Sequence, residues 1–218
     1  RLNELDVWQD MATITLDQMR SVKLMNRIDT KYVLKEEDVI HLLSEVAKSG
    51  YYVQVIDNVR ACRYLTLYYD TPKRDMFVAH HNRNLTRQKL RTRIYVESGT
   101  TFFEIKNKSN RGRTKKRRTE IDKGDFATFA NNISACSLLS EHSNYRPEQV
   151  APALTTSFCR ITLVNPTLTE RTTIDLDLNY EDVRSGRHNA IDNMAIVEIK
   201  HLPLGRMNEN SGIFRGKP

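Results

Sequence analysis

Short runs of β-branched and aromatic residues, often alternating with polar ones, make up most of this chain. Such runs occupy residues 27–34, 63–71, 85–96, 100–108, 114–121, 152–165, 170–182 and 193–202. They give about eight strand candidates, and most follow one another at hairpin distances. This spacing predicts a mainly antiparallel sheet.

A few segments have the spacing of helices instead. Residues 36–49 carry acids in the first turn, apolar residues on one face and Gly50 as a C-terminal stop. Residues 16–26 and 124–140 are also predicted to be helical, and residues 72–81 to form a loop or short helix. We expect these helices to pack outside the sheet.

Six strand candidates also carry charges at alternate positions, which places the charges on one face of each strand. In the third candidate, Gln88, Leu90, Thr92 and Ile94 share the face opposite the cations. The charged sets are Arg87, Lys89, Arg91 and Arg93; Glu104, Lys106 and Lys108; Lys116, Arg118 and Glu120; Arg171, Asp175 and Asp177; Glu198 and Lys200; and Arg27, Asp29 and Lys31.

A solvent-facing side would explain each charged face singly. For six together, a common interior is the favoured interpretation, because a barrel packed by helices on its outside turns its apolar residues outward. The predicted fold is therefore α+β, a closed eight-stranded, mainly antiparallel barrel with helices outside and a charged lumen.

A lumen of this kind needs a multiply charged anion, since unpaired buried charge is costly. Phosphate groups suit it best, because their oxygens match arginine forks and lysine point charges. We expect Arg91 and Arg93 to have no obligatory protein partner. Glu104 and Glu198 would supply oxygen ligands for Mg²⁺ or Mn²⁺ bridging the phosphates.

The composition agrees with a polyanionic ligand. The 218 residues include 34 Lys and Arg against 27 Asp and Glu, a net charge of +7. Three scattered cysteines indicate a reducing compartment, so we expect a cytoplasmic protein, and no apolar run is long enough for a membrane segment. With no linker in the sequence, one domain is predicted over residues 16–218 after a lead-in at residues 1–15.

The order of motifs resembles a known family. The segments "RIDTKYVL", "LYYDT", "RQKLRTRIY", "FFEIKNK" followed by "KKRR", "SFCRITL", "ERTTIDLDL" and "VEIKH" are similar to the VTC (vacuolar transporter chaperone) domain of bacterial type. That domain lies within the CYTH-like triphosphate tunnel superfamily. The resemblance covers roughly residues 22–218.

The resemblance implies an eight-stranded tunnel that binds nucleoside triphosphate or inorganic polyphosphate with a divalent metal, Mn²⁺ or Mg²⁺. The characterised eukaryotic domain transfers the γ-phosphate of ATP onto a growing polyphosphate chain. By position, the implied phosphate-binding residues are Lys31, Arg91, Arg93, Lys106, Lys116, Arg118, Arg160 and Arg171. Of these, Lys31, Arg91, Arg93, Lys106 and Arg171 are the expected catalytic residues. Arg87, Lys89 and Lys200 join the phosphate-binding set, and Glu198 resembles the metal-binding glutamate.

Three departures from the superfamily patterns stand out. Arg27 occupies the place of the first carboxylate of the E-x-E-x-K run of related triphosphatases and cyclases, which fits the VTC branch. Phe158 stands where the family has a tyrosine. The chain ends at "FRGKP", before the segment whose lysine closes the tunnel in bacterial members.

Several functions share these features. The first is metal-dependent phosphoryl transfer from a nucleoside triphosphate, which makes or trims polyphosphate. The others are a triphosphatase and a non-catalytic module that binds polyphosphate or an inositol phosphate. Nucleic-acid binding is disfavoured, because aromatic residues do not alternate with the cations as stacking platforms, Tyr95 excepted.

Overall fold

The computed structural model describes residues 1–19 and 27–202. Most of the predicted helix at 16–26, and the C-terminal "FRGKP", lie outside these residues. The strands are β1 (Thr13–Thr15), β2 (Ile28–Lys35), β3 (Tyr52–Val55), β4 (Ala61–Asp70), β5 (Arg87–Tyr95), β6 (Thr100–Lys108), β7 (Thr114–Ile121), β8 (Ala151–Val164), β9 (Glu170–Asp182), β10 (Arg187–Ile191) and β11 (Met194–His201). The α-helices are α1 (Leu16–Met19), α2 (Glu36–Lys48), α3 (Asp75–His81) and α4 (Ile133–His142).

The strands form one large sheet in the order β2-β11-β9-β8-β4-β5-β6-β7. Strands β1, β3 and β10 pair off this path, and β1 runs parallel to β3. The predicted α+β class is thus confirmed, and so is the mainly antiparallel pairing. Within residues 1–19 and 27–202 no pairing joins β2 to β7, so the sheet is not closed by hydrogen bonds. The closed barrel predicted from the sequence is therefore not supported.

The predicted helix bounds agree with the structure to different degrees. Helix α2 begins and ends within a residue of the prediction, and Gly50 follows with a φ of 73°. The segment 124–140 starts with two short 3₁₀ turns, and α4 begins only at Ile133. Its start is fixed by Asn132, whose side chain accepts a hydrogen bond from the Ala135 amide. No helix in the described residues is long and apolar enough to cross a membrane.

The chain divides into two compact units. The first contains Arg1–Cys62, Cys159–Leu178 and the described residues from Ile191 onward. Its core packs Val39, Leu43 and Val46 of α2 against the apolar face of the sheet, including Ile174 and Val197. The charged residues of the same strands are thereby left on the opposite face.

The second unit contains Arg63–Phe158 and Asn179–Ala190. Its core packs Ala135 and Leu139 of α4 against Leu90, Phe103 and Ile105 from β5 and β6. This packing confirms the predicted parity, in which Leu90 lies under a helix and the cations lie on the other face. The single domain predicted over residues 16–218 stays a prediction.

Candidate functional site

The charged face of the second unit is organised in rows that cross the strands. Directly opposed residues of paired strands share a face, with Cβ atoms about 4.5–5.5 Å apart. Lys89, Lys106 and Lys116 are opposed in this way on β5, β6 and β7. Three lysine side chains therefore leave neighbouring positions on the same face, and their like charges favour a bound anion.

A second row lies next to the lysine row and contains the one fully buried carboxylate of this face. Glu104 is 0% exposed and is opposed by Arg91 on β5 and Arg118 on β7. The Arg91 Nε donates to the Glu104 Oε2 over 2.6 Å, and the Lys116 ammonium forms an ion pair with Oε1. Burial favours the neutral acid, but Arg91 and Lys116 outweigh it and lower the pKa of Glu104 to about 2.

Both arginines predicted to lack protein partners have them. Arg91 also donates to the Tyr68 hydroxyl over 3.2 Å, in addition to its contact with Glu104. The Arg93 Nε donates to the Thr66 hydroxyl over 2.9 Å. That expectation was wrong because alternation along a strand reveals which face a residue occupies, and not what the neighbouring strand places beside it.

Aromatic rings hold two guanidinium groups of this face in place. The Arg93 guanidinium lies 5.6 Å from the centre of the Tyr64 ring and 5.8 Å from that of Phe158. The Arg118 guanidinium lies 4.2 Å from the centre of the Phe102 ring. Cation–π contact of this kind restricts the side chain while leaving its N–H donors available for an anion.

The lysines of the row are difficult to charge together. Burial lowers the pKa of Lys106 to about 7, with Arg91, Lys116 and Arg93 adding to the shift and Glu104 opposing it. Burial also lowers the pKa of Lys116, to about 8, although Glu104 beside it favours the charged form. Burial is the main cause of both shifts, and repulsion from neighbouring cations adds to it at each lysine.

The remaining cations of the face lie at the start of β5. Arg87 is opposed to Lys108 and donates to the Asn84 carbonyl over 2.7 Å. The Lys89 Nζ lies 3.4 Å from the His80 Nε2. The second unit therefore contains the predicted residues Arg87, Lys89, Arg91, Arg93, Glu104, Lys106, Lys116 and Arg118 on one face.

The other predicted residues lie in the first unit, on the charged face of β2, β11 and β9. One row contains Lys31, Glu198 and Thr173, and the next contains Asp29, Lys200 and Arg171. Arg160 of β8 also belongs to this unit and forms a bidentate pair with Asp175, with distances of 2.5 and 2.6 Å. Cations and carboxylates alternate here far more evenly than on the face of β5 to β7.

Within this group, Arg171 and Glu198 are distinguished by their burial and by the charges around them. The Arg171 Nε is buried and has no hydrogen-bond partner among the described residues. Burial lowers the pKa of Arg171, and Arg27 and Arg160 lower it further. The Glu198 carboxylate forms ion pairs with Lys200 and, at 3.9 Å, with Lys31. Burial raises the pKa of Glu198, but Lys200 outweighs burial and the net shift is downward.

The two candidate metal ligands differ in how well they fit a divalent cation. Glu104 is enclosed and both of its oxygens face cations, so its contacts are those of a counter-ion and do not fit a metal ligand. Glu198 retains 19% side-chain exposure and is ionised, which fits a single oxygen ligand of a metal otherwise held by phosphates and water. The described residues contain no group of three or more His, Cys, Asp or Glu that could hold a metal by themselves.

Sequence reasoning missed the polar residues of β4 and the partner of Arg160. Thr66 and Tyr68 contact Arg93 and Arg91, and the nearby cations lower the pKa of Tyr68 against the effect of its burial. The signal was present in "RYLTLYYD", because Leu65, Leu67 and Tyr69 on one face leave Tyr64, Thr66 and Tyr68 for the other. Arg27, which stands in place of the first carboxylate of the E-x-E-x-K run, lies in the first unit and pairs with Asp29 over 2.9 Å.

The chain is similar to a known family and to several solved structures. A family model described as the VTC domain matches residues 26–204. A solved structure from Vibrio parahaemolyticus, proposed to be an adenylate cyclase, has a TM-score of 0.51 and 16% identity over 84% of this chain and 79% of that chain. A Bacillus halodurans protein with the same proposed activity has a TM-score of 0.48 and 13% identity over 81% and 82% of the two chains. A Hippeastrum protein, proposed as an adenylyl cyclase and described as having a dominant triphosphatase activity, has a TM-score of 0.46 and 11% identity over 84% and 82%. No curated protein gives a significant match.

Proposed function

Because this chain belongs to the VTC domain family, as its motifs predicted, we propose that it binds the phosphate chain of a nucleoside triphosphate or of inorganic polyphosphate. The observation that carries the proposal is the row of Lys89, Lys106 and Lys116 on three neighbouring strands. A single phosphate contacts one or two such groups. A chain of phosphates can contact the whole row and the arginines beside it.

The charge balance of the same face supports a polyanion. Its cations outnumber its carboxylates, and Glu104 is already paired with Arg91 and Lys116. The cations are Arg87, Lys89, Arg91, Arg93, Lys106, Lys108, Lys116 and Arg118, and the carboxylates are Glu104 and Glu120. Bound phosphates would favour the charged forms of Lys106 and Lys116 and offset the repulsion between neighbouring cations.

The reaction we propose is phosphoryl transfer from a nucleoside triphosphate to a polyphosphate chain. In this proposal the chain's own residues act by positioning and by neutralising charge, since phosphoryl transfer needs little covalent chemistry from the protein. Arg91, Arg93 and Lys106 would hold phosphate oxygens on the second unit. Lys31, Arg160, Arg171 and Lys200 would do so on the first.

A divalent metal belongs to this proposal. Glu198 would hold Mn²⁺ or Mg²⁺ together with oxygens that the ligand supplies. When bound, the metal would neutralise phosphate oxygens and assist the departure of the leaving group. Glu104 has no part in metal binding here, because its role is to keep Arg91 and Lys116 in position.

Two variants of β7 test the binding proposal with matched charges. Lys116→Ala/Arg118→Ala removes two cations from the proposed face, and Lys115→Ala/Arg117→Ala removes two from the other face of the same strand. The first variant should lose tripolyphosphate affinity roughly a hundredfold or more, because each charge-assisted contact contributes about 1.5–3 kcal/mol. The second should bind almost as the parent does. Calorimetry with tripolyphosphate, ATP and AMP measures this, and equal losses in both variants would refute the assignment of the face.

Turnover separates the proposed reaction from its rivals. With ATP and Mn²⁺, the parent protein should form acid-labile polyphosphate chains that are longer than triphosphate. Release of phosphate alone would identify a triphosphatase. Tight binding of tripolyphosphate without turnover would identify a non-catalytic module.

A further inference from the structure

A short helix of the second unit exposes its apolar side chains. Phe77 is 59% exposed and Val78 45% exposed on α3, and Leu85, in the loop that follows, is 64% exposed. The loop is folded back onto the helix, since the Asn84 amide donates to the Ala79 carbonyl over 2.9 Å. Phe77, Val78 and Leu85 are thus exposed on the helix and on the loop folded onto it, and we call these three side chains the α3 tip.

The α3 tip is held firmly by the rest of the unit. The Asp70 carboxylate accepts hydrogen bonds from the Met76 and Phe77 amides, both at 2.9 Å. Arg184 donates to the Thr71 carbonyl over 2.7 Å and to the Pro72 carbonyl over 3.0 Å. Met76 on the inner side of α3 is buried in the core. The exposure of the outer side is therefore imposed by defined contacts.

Basic residues lie at both ends of α3. Lys73 and Arg83 are exposed and form no ion pair within the part of the chain that the structure describes. Arg74 pairs with Asp182 over 2.9 Å. The exposed carboxylate of Asp75 accepts a hydrogen bond from the Thr71 hydroxyl over 2.7 Å. Lys73, Arg74 and Arg83 therefore outnumber the exposed or partly exposed carboxylates beside them, Asp75 and Asp182.

We propose that the α3 tip docks on an anionic lipid surface. Exposed apolar side chains between cations can enter the boundary between head groups and acyl chains, while the cations contact lipid phosphates. A protein partner would need a broader complementary area, about 800 Å² on each side for a stable complex. Three exposed apolar side chains on a helix with cations at both ends match an anionic lipid surface better.

Co-sedimentation with vesicles tests this proposal on the full chain. The protein should bind vesicles of phosphatidylcholine mixed with phosphatidylserine, and should bind those of phosphatidylcholine alone far more weakly. Phe77→Ser/Leu85→Ser should reduce binding to the anionic vesicles by about tenfold or more, because the apolar insertion is lost. Ile133→Ser is the matched control, since Ile133 is 88% exposed in the same unit but far from α3 in sequence, at the start of α4. Its binding should be unchanged.

A competition experiment separates the α3 tip from the basic face of β5 to β7. Saturating tripolyphosphate should leave vesicle binding in place, and Lys116→Ala/Arg118→Ala should bind vesicles as the parent does. Melting curves confirm that each variant is folded. The proposal is overturned if tripolyphosphate releases the protein from vesicles, or if folded Phe77→Ser/Leu85→Ser binds them as tightly as the parent.

Discussion

At the scale of single residues, the surroundings of a carboxylate decide what it can do. Glu104 is buried between Arg91 and Lys116, and ionisation there serves to retain two cations that would otherwise repel each other. Glu198 is ionised at a site with partial access to solvent. The same side-chain chemistry thus supports a counter-ion in one place and leaves a partly accessible carboxylate in the other, where we propose a metal ligand.

The Arg91–Glu104 pair gives a prediction about stability. Arg91→Ala should lower the free energy of unfolding by about 3 kcal/mol or more, because it leaves a fully buried carboxylate with Lys116 alone. Arg91→Met/Glu104→Met should lose much less, since neither buried charge remains. Urea unfolding of both variants measures the difference. If the single variant is as stable as the parent, Glu104 does not depend on Arg91.

At the scale of elements, the pairing of strands brings Lys89, Lys106 and Lys116 into one row. Each of β5, β6 and β7 contributes one member, so the row depends on the pairing of all three strands. Burial of these lysines among other cations has a cost in the ligand-free protein, which appears as the lowered pKa values of Lys106 and Lys116.

This cost predicts a dependence of stability on pH. Lys106 has a folded-state pKa of about 7 against an ordinary value of 10.5, so above pH 7 the unfolded state binds the proton more tightly. The free energy of unfolding should therefore rise with pH from about 7 towards 10.5, and the full penalty should remain below pH 7. Lys106→Met should reduce this slope. Urea midpoints at several pH values test it, and parallel slopes for the two proteins would contradict the prediction.

Alternation of residue types predicted most of this element structure. Strands β6, β7 and β9 match their predicted ranges, and β2, β4, β5, β8 and β11 differ from theirs by at most a few residues. Strands β1, β3 and β10 were missed because they are short and pair off the main path, where local pattern carries little information. The late start of α4 depends on the Asn132 cap, which a hydrophobic pattern does not contain.

At the scale of the whole molecule, the sequence predicted the family better than the individual contacts. The motif order led to the family that the comparisons confirm, while the polyanionic ligand that the basic residues predicted stays a proposal. The contacts of Arg91 with Tyr68 and of Arg93 with Thr66 needed the pairing of β4 with β5. The predicted closure of the barrel is not supported by the observed pairing, and local pattern could not decide it, because closure depends on pairing between strands distant in sequence.

Metal dependence of the intact protein provides a further prediction. Glu198→Gln keeps the shape of the side chain but removes the anionic oxygen, so metal-dependent turnover should fall to background. Stability should change by only about 1 kcal/mol or less, because the carboxylate is partly exposed. Binding of Mn²⁺ in the presence of tripolyphosphate, followed by electron paramagnetic resonance, gives a readout besides activity. Unchanged Mn²⁺ binding and turnover would remove Glu198 from the proposed metal site.

The hairpin that joins β6 to β7 has a consequence for how this chain tolerates insertions and deletions. Strand β7 carries cations at four consecutive positions, 115–118. A one-residue slip would bring Lys115 and Arg117 onto the face that Lys116 and Arg118 now occupy, so the charge of that face would survive the error. The same slip would move Ile121 out of the apolar core and would turn a charged residue next to it in sequence, Glu120 or Asp122, towards that core. A change of one residue in the turn at 109–113 would therefore be penalised through the core, while the electrostatic pattern itself is insensitive to it.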